Sequence, residues 1–124
     1  MSATITVDVT SAVPPYEQIR VQVASLIAAG ALPAGTQLPT VRDLAADLGV
    51  AVGTVVRAYR ELEASGQVVS RRRTGTVVAP GATRGDAAVH AAVAALVAAA
   101  RRGGVPDEDV LTLVRGALLG GPGA

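Results

Sequence analysis

All eleven basic side chains in this 124-residue chain are Arg, and five of them, Arg57, Arg60, Arg71, Arg72 and Arg73, fall within seventeen residues. A guanidinium forks onto phosphate or guanine through parallel N–H bonds that an ammonium cannot reproduce, so the cluster points to a polyanion. The formal net charge is only +1, so the local concentration of cations carries the argument, not the field of the whole chain. Other chemistries find few residues to work with. There is no Cys, which excludes disulfides, thiolate metal sites and a cysteine nucleophile. His90 is the one histidine, and although Asp86 stands four residues before it, no second His or Cys completes a metal shell. No nucleophile, base and orienter can be assembled, and Gly49, Gly53 and Gly75 do not match a phosphate-cradling loop. Neither catalysis nor a cofactor is expected. With Tyr16 and Tyr59 as the only aromatics, a base-stacking surface is excluded as well.

The elements that must position these arginines can be read from periodicity. Ile5, Val7 and Val9 alternate with Thr4, Thr6 and Asp8, which predicts a short leading strand stopped by Ser11 and Pro14-Pro15. From Tyr16, apolar residues recur at Ile19, Val23, Leu26 and Ile27 as one stripe of a helix that ends at Gly30. Pro33 and Gly35 make a turn, and Gln37-Leu38 before Pro39 allows a short extended piece. Thr40 followed by Asp43 has the spacing of a capping box, so a second helix starts there, with Val41, Leu44, Ala45 and Leu48 inward and Gly49 at its exit. A third helix follows within a few residues. Its inner face is Val55, Ala58, Tyr59 and Leu62, which leaves Gly53, Thr54, Arg57, Arg60 and Glu61 outward. Two β-branched runs, 67–70 and 76–79, flank Arg71, Arg72, Arg73, Thr74 and Gly75 as a hairpin with an arginine tip.

Pro80, Gly81 and Gly85 read as a linker, followed by an alanine-rich amphipathic helix over 86–102 and another over 107–119, joined at Gly103-Gly104. Asp107, Glu108 and Asp109 suit the first turn of the last helix. Two short helices cannot bury their stripes on each other alone, which predicts a partner chain. The expected fold class is mainly α with a small β-hairpin: a winged helix-turn-helix over 1–80, a linker over 81–85, a helical dimerisation segment over 86–120 and a tail over 121–124. No basic leader precedes an apolar run at Met1 to Thr10, and no apolar stretch approaches the roughly 20 residues that span a bilayer, so a cytoplasmic location without membrane contact is expected.

The segments PPYEQI, AGTQLPTVRDLAADLGV, TVVRAYRELEASG and RRRTGTVV resemble the DNA-binding domain of the GntR family of bacterial transcription regulators, from about Val13 to Val78. A tail of two helices is similar to that of the YtrA subfamily, whose members are dimeric repressors. The resemblance implies that Arg42 lies against DNA at the second helix, that Thr54 and Arg57 make recognition-helix contacts, and that Arg72, Arg73 and Gly75 belong to a wing at the minor groove. With Thr40, Arg60, Arg71 and Thr74 beside them, these form the candidate DNA-binding set. The sequence departs from the family where polar residues usually follow the turn: here stand Ala51, Val52 and Gly53. The helix start thereby loses a side-chain cap, worth about 0.5 to 2 kcal/mol.

The resulting expectation is a homodimeric repressor that binds an inverted-repeat operator in double-stranded DNA, with half-sites about 10 base pairs apart. Two alternatives stand beside it: a winged-helix module that docks a protein, and an architectural DNA binder indifferent to sequence. At the level of single residues, Arg57 and Arg60 could pair with Glu61 and Glu63 as a solvated face, and Arg42 could pair with Asp43 or Asp47. Tyr59 reads as core. No residue names an operator, and any small-molecule effector would sit at a dimer or interdomain surface.

Overall fold

The computed structural model describes residues 5–82 and 87–121. Thr4 of the expected leading strand, Asp86 beside His90, most of the expected linker and the end of the tail lie outside the described residues. The chain divides into two compact units, Met1–Gly85 and Asp86–Ala124. In the first, α1 (Pro15–Ala28), α2 (Val41–Leu48) and α3 (Val52–Ala64) precede a hairpin of β1 (Val68–Arg71) and β2 (Gly75–Val78). The second holds α4 (Ala87–Gly103) and α5 (Asp107–Leu119).

The core of the first unit is aliphatic. Ile19, Val23 and Ile27 of α1, Val55 and Leu62 of α3, Val68 of β1 and Val78 of β2 are fully buried, with Leu32, Leu38, Leu44, Ala45, Ala58 and Tyr59 around them. The Thr40 hydroxyl caps α2 by accepting from the Asp43 N–H at 3.1 Å. Gly49 ends that helix at φ 69°, a left-handed conformation that side chains with a Cβ rarely adopt. This permits the immediate reversal into α3.

The hairpin is antiparallel, with Val68 opposite Val78, Val69 opposite Val77, Ser70 opposite Thr76 and Arg71 opposite Gly75. Its loop is therefore Arg72-Arg73-Thr74, closed by Gly75 at φ 76°. A three-residue loop followed by a left-handed glycine is a common way to close such a hairpin. The extended piece at Gln37-Leu38 lies along the free edge of β2: Val78 N–H donates to Thr36 O, Leu38 N–H to Thr76 O and Gly35 N–H to Val78 O, each at 2.9 Å, with a bridge between Gln37 and Val77. Helix, helix, tight turn, helix and hairpin in this order make a winged helix-turn-helix.

The leading strand is not formed among the described residues. Residues 5–8 adopt no regular secondary structure and join no sheet. Two glutamines of α1 take the place of a partner strand. Gln22 Oε1 accepts from Thr6 N–H at 3.0 Å while its Nε2 donates to Thr6 O at 2.7 Å. Gln18 Oε1 accepts from Asp8 N–H at 2.8 Å, and its Nε2 donates to Asp8 O at 2.9 Å and Val13 O at 2.7 Å. A side-chain amide has the donor and acceptor of a peptide group, so each glutamine acts as one residue of a neighbouring strand. Ile5 enters the core beneath them, whereas Val9 stays exposed.

In the second unit, α4 and α5 form a hairpin turned by Gly104 at φ 67°, with Val105 N–H donating to Ala100 O at 2.9 Å. Arg101 Nη1 donates to Asp107 Oδ1 at 2.6 Å across the turn. Ala100 is the one buried hydrophobic residue described in this unit.

Gln18→Ala removes three hydrogen bonds and adds no bulk, each bond contributing about 0.5 to 1.5 kcal/mol. All three are exposed to water, so the low end applies: the substitution should lower the urea-unfolding free energy by about 1.5 kcal/mol and speed hydrogen exchange at the Asp8 amide. Unchanged exchange would show that Ile5 and the Gln22 amide hold the segment without Gln18.

Candidate nucleic-acid interface

Helix α3 is fixed from behind. Val55, Ala58, Tyr59 and Leu62 are sealed in the core, so the remaining faces of the helix are turned away from it. Two further contacts set its angle and its relation to the hairpin. Tyr59 Oη donates to Pro39 O at 2.8 Å, tying the middle of α3 to the residue before the Thr40 cap of α2. Glu63 Oε2 accepts from Ser70 N–H at 3.2 Å, and Gln67 N–H donates to Leu62 O at 3.0 Å, which together anchor β1 to the end of α3. Tyr59 is core, as the sequence suggests, while Glu63 serves the hairpin and does not pair with Arg60.

The candidate residues sit on three elements: Thr40 and Arg42 at the start of α2, Thr54, Arg57 and Arg60 on α3, and Arg71, Arg72, Arg73, Thr74 and Gly75 in and beside the hairpin loop. All are exposed except Thr54, which is half-buried. Arg42, Arg60, Arg71, Arg72 and Arg73 form no ion pair among the described residues, so Arg42 does not pair with Asp43 or Asp47. Among the described residues nothing neutralises their charge.

Arg57 is different. Its guanidinium lies over the Tyr16 ring of α1, 3.7 Å from the centroid, and its Nε stands 3.7 Å from Glu61 Oε2. The solvated-face reading of Arg57 with Glu61 is thus realised in part, because the side chain is still 63% exposed. An exposed cation–π contact contributes about 0.5 to 1 kcal/mol and an exposed ion pair about as little, so an anion can still recruit this guanidinium at small cost. Neighbouring Glu17 hydrogen-bonds Arg20, and that bond holds its carboxyl below the usual carboxylate range, with the Arg57 charge adding to the effect.

Sequence reasoning does not find Tyr16 or Glu63 as parts of this site. Both act across non-local contacts, which leave no mark in the periodicity of a single helix. The start of α3 could be anticipated: Ala51 provides no side-chain cap, and Val52 is 44% exposed.

Residues 15–78 match the family described as bacterial regulatory proteins, gntR family. The chain belongs to the GntR family. It is 49% identical over 105 residues to the HTH-type transcriptional regulator Rv1152 of Mycobacterium tuberculosis, covering 85% of this chain and 86% of that protein. It is 38% identical over 78 residues to the HTH-type transcriptional repressor YtrA of Bacillus subtilis, covering 63% and 60% respectively. Among solved structures it is similar to YtrA from Sulfolobus acidocaldarius, a GntR-family transcription factor, at a TM-score of 0.57 and 33% identity, covering 78% of this chain and 97% of that one. As a GntR-family protein the chain is a DNA-binding transcription regulator with a winged-helix fold, and not an enzyme. No helix among the described residues is long and apolar enough to cross a membrane.

Burial pushes the Tyr59 phenol well above its ordinary pKa of 10.0. The folded state therefore prefers the neutral phenol: this stabilisation is complete below the unfolded pKa near 10 and is lost as pH rises toward the folded value. Tyr59→Phe keeps the ring but leaves the Pro39 carbonyl without its donor. It should unfold about 1 kcal/mol more easily at neutral pH, and the gap to the parent should narrow above about pH 10. A constant gap across that range, followed by urea melts, would remove the Tyr59 hydroxyl from the account.

Proposed function

We propose that this GntR-family chain is a cytoplasmic homodimeric repressor that binds an inverted-repeat operator, with one winged helix-turn-helix per half-site. In this reading α3 enters the major groove with Thr54, Arg57 and Arg60. Thr40 and Arg42 hold the phosphate backbone from the start of α2. Arg71, Arg72, Arg73, Thr74 and Gly75 form the wing at the adjacent minor groove, where a narrow groove attracts cations. Residues 1–80 bind DNA, 81–85 link, 86–120 dimerise and 121–124 form a tail.

The observation that carries the DNA-binding half is the exposure of Arg42, Arg60 and Arg71 to Arg73 without an acidic partner among the described residues. Unpaired cations on elements that a buried core fixes from behind suit a polyanion. The dimer is supported by the second unit. Val93, Leu96, Val97, Leu111, Val114 and Leu118 remain exposed on α4 and α5. Two helices with that much uncovered apolar surface need a further partner, and a second copy supplies a matching stripe. Repression is supported by the name of the Bacillus YtrA relative.

The test is binding of the full chain to a duplex selected from its own promoter region, measured across salt concentrations. Each neutralised phosphate contributes about −0.9 to the slope of log affinity against log salt. Arg72→Ala combined with Arg73→Ala should make that slope shallower by about two, and sedimentation should find two chains of 12.3 kDa per duplex. A salt-independent interaction would favour a protein-docking module, equal affinity for random duplex an architectural binder, and one chain per duplex would refute the dimer.

A further inference from the structure

The start of α3 is apolar where the operator reading places it in the groove. Ala51 and Val52 are exposed, Val52 at 44%, and Val56 is half-buried. Val52, Val56 and Arg60 stand at i, i+4 and i+8, so they share one ridge of α3, beside the core-facing stripe and apart from it. Between them and Arg57, Gly53 carries no side chain, and a methyl added there would meet nothing within 4 Å. The fold itself thus does not require this glycine. Val52 is a costly choice for the fold alone: a β-branched residue in the first turn loses rotamer freedom, and this one leaves 44% of its surface in water. A residue type that costs stability where it stands is accounted for by what it meets when bound.

The occupant is constrained by charge. Arg57 and Arg60 flank the valines, and Arg60 has no acidic partner among the described residues. A duplex offers phosphates to such cations and, on the floor of its major groove, one apolar group per A·T pair, the C5-methyl of thymine. We propose that Val52, with Ala51 and Val56 beside it, reads thymine methyl groups in each half-site, while Arg60 at the end of the same ridge takes a phosphate or a guanine. This inference rests on the operator reading above and deepens it. The apolar start of α3 is then a specificity determinant where polar contacts are missing.

The experiment selects bound sequences from a pool of duplexes with a randomised core, using the full chain, and then replaces each thymine of the selected sequence by uracil, which lacks only the methyl. Sequestering one methyl is worth about fourfold in affinity. Uracil should cost about that much at one or two positions per half-site. Val52→Ala, which favours the helix and therefore folds, should abolish the difference at one of those positions. If a sequence is selected but uracil binds as tightly as thymine, the inference is overturned and the operator reading stands. A thymine preference that survives at every one of those positions in Val52→Ala would also overturn it. If no sequence is enriched, the operator reading falls, and the inference with it.

Discussion

The burial of one face of α3 determines what its other faces can offer. Val55, Ala58, Tyr59 and Leu62 lock the helix into a core built almost wholly of Ile, Leu and Val, so its rotation about its own axis is set by close packing and not by any polar contact. Tyr59 then converts that packing into a relation between elements, because its hydroxyl reaches the backbone just before the α2 cap. Glu63 does the same for the hairpin by accepting from Ser70. Arginines have long, mobile side chains, and the rigidity of a site made of them must come from the backbone that carries them. Here it comes from one aliphatic core and two hydrogen bonds.

Most of the helical architecture was legible, since it depends on local signals: the Thr40 cap, the glycine at 49, the apolar stripes and the β-branched runs around the arginine tip. The expected leading strand does not form, for a physical reason. Alternation of Ile5, Val7 and Val9 reports that one side of an extended segment meets the core, but it does not report what pairs with the backbone. The amides of Gln18 and Gln22 do so, and a glutamine on a helix gives no hint of this. Likewise, the third extended piece at Gln37 was visible, but its pairing with β2 was not. At the site, every candidate arginine was found exposed, yet the stacking of Arg57 on Tyr16 joins residues forty-one positions apart. No periodicity records such a contact.

Two places among the described residues where the chain departs from local rules are ones that the functional reading uses. Helix α3 begins without a side-chain cap and with an exposed valine, and α4 and α5 leave much of their apolar surface uncovered. Natural sequences are locally consistent except where function imposes another demand. An apolar helix start suits the floor of a groove, and an uncovered helical pair suits a second copy. Arg57, held between a ring and a carboxylate, has a defined resting position, and both contacts are weak enough to yield to a phosphate.

In the proposed reading, α2, α3 and the hairpin loop meet duplex DNA together. Amide chemical-shift mapping of the full chain on addition of its selected operator shows which residues the duplex touches. Large changes should be confined to residues 40–42, 51–60 and 71–75, with Ile19, Val23 and Ile27 of α1 unmoved. Changes concentrated on α4 and α5, or on α1 alone, would contradict that reading.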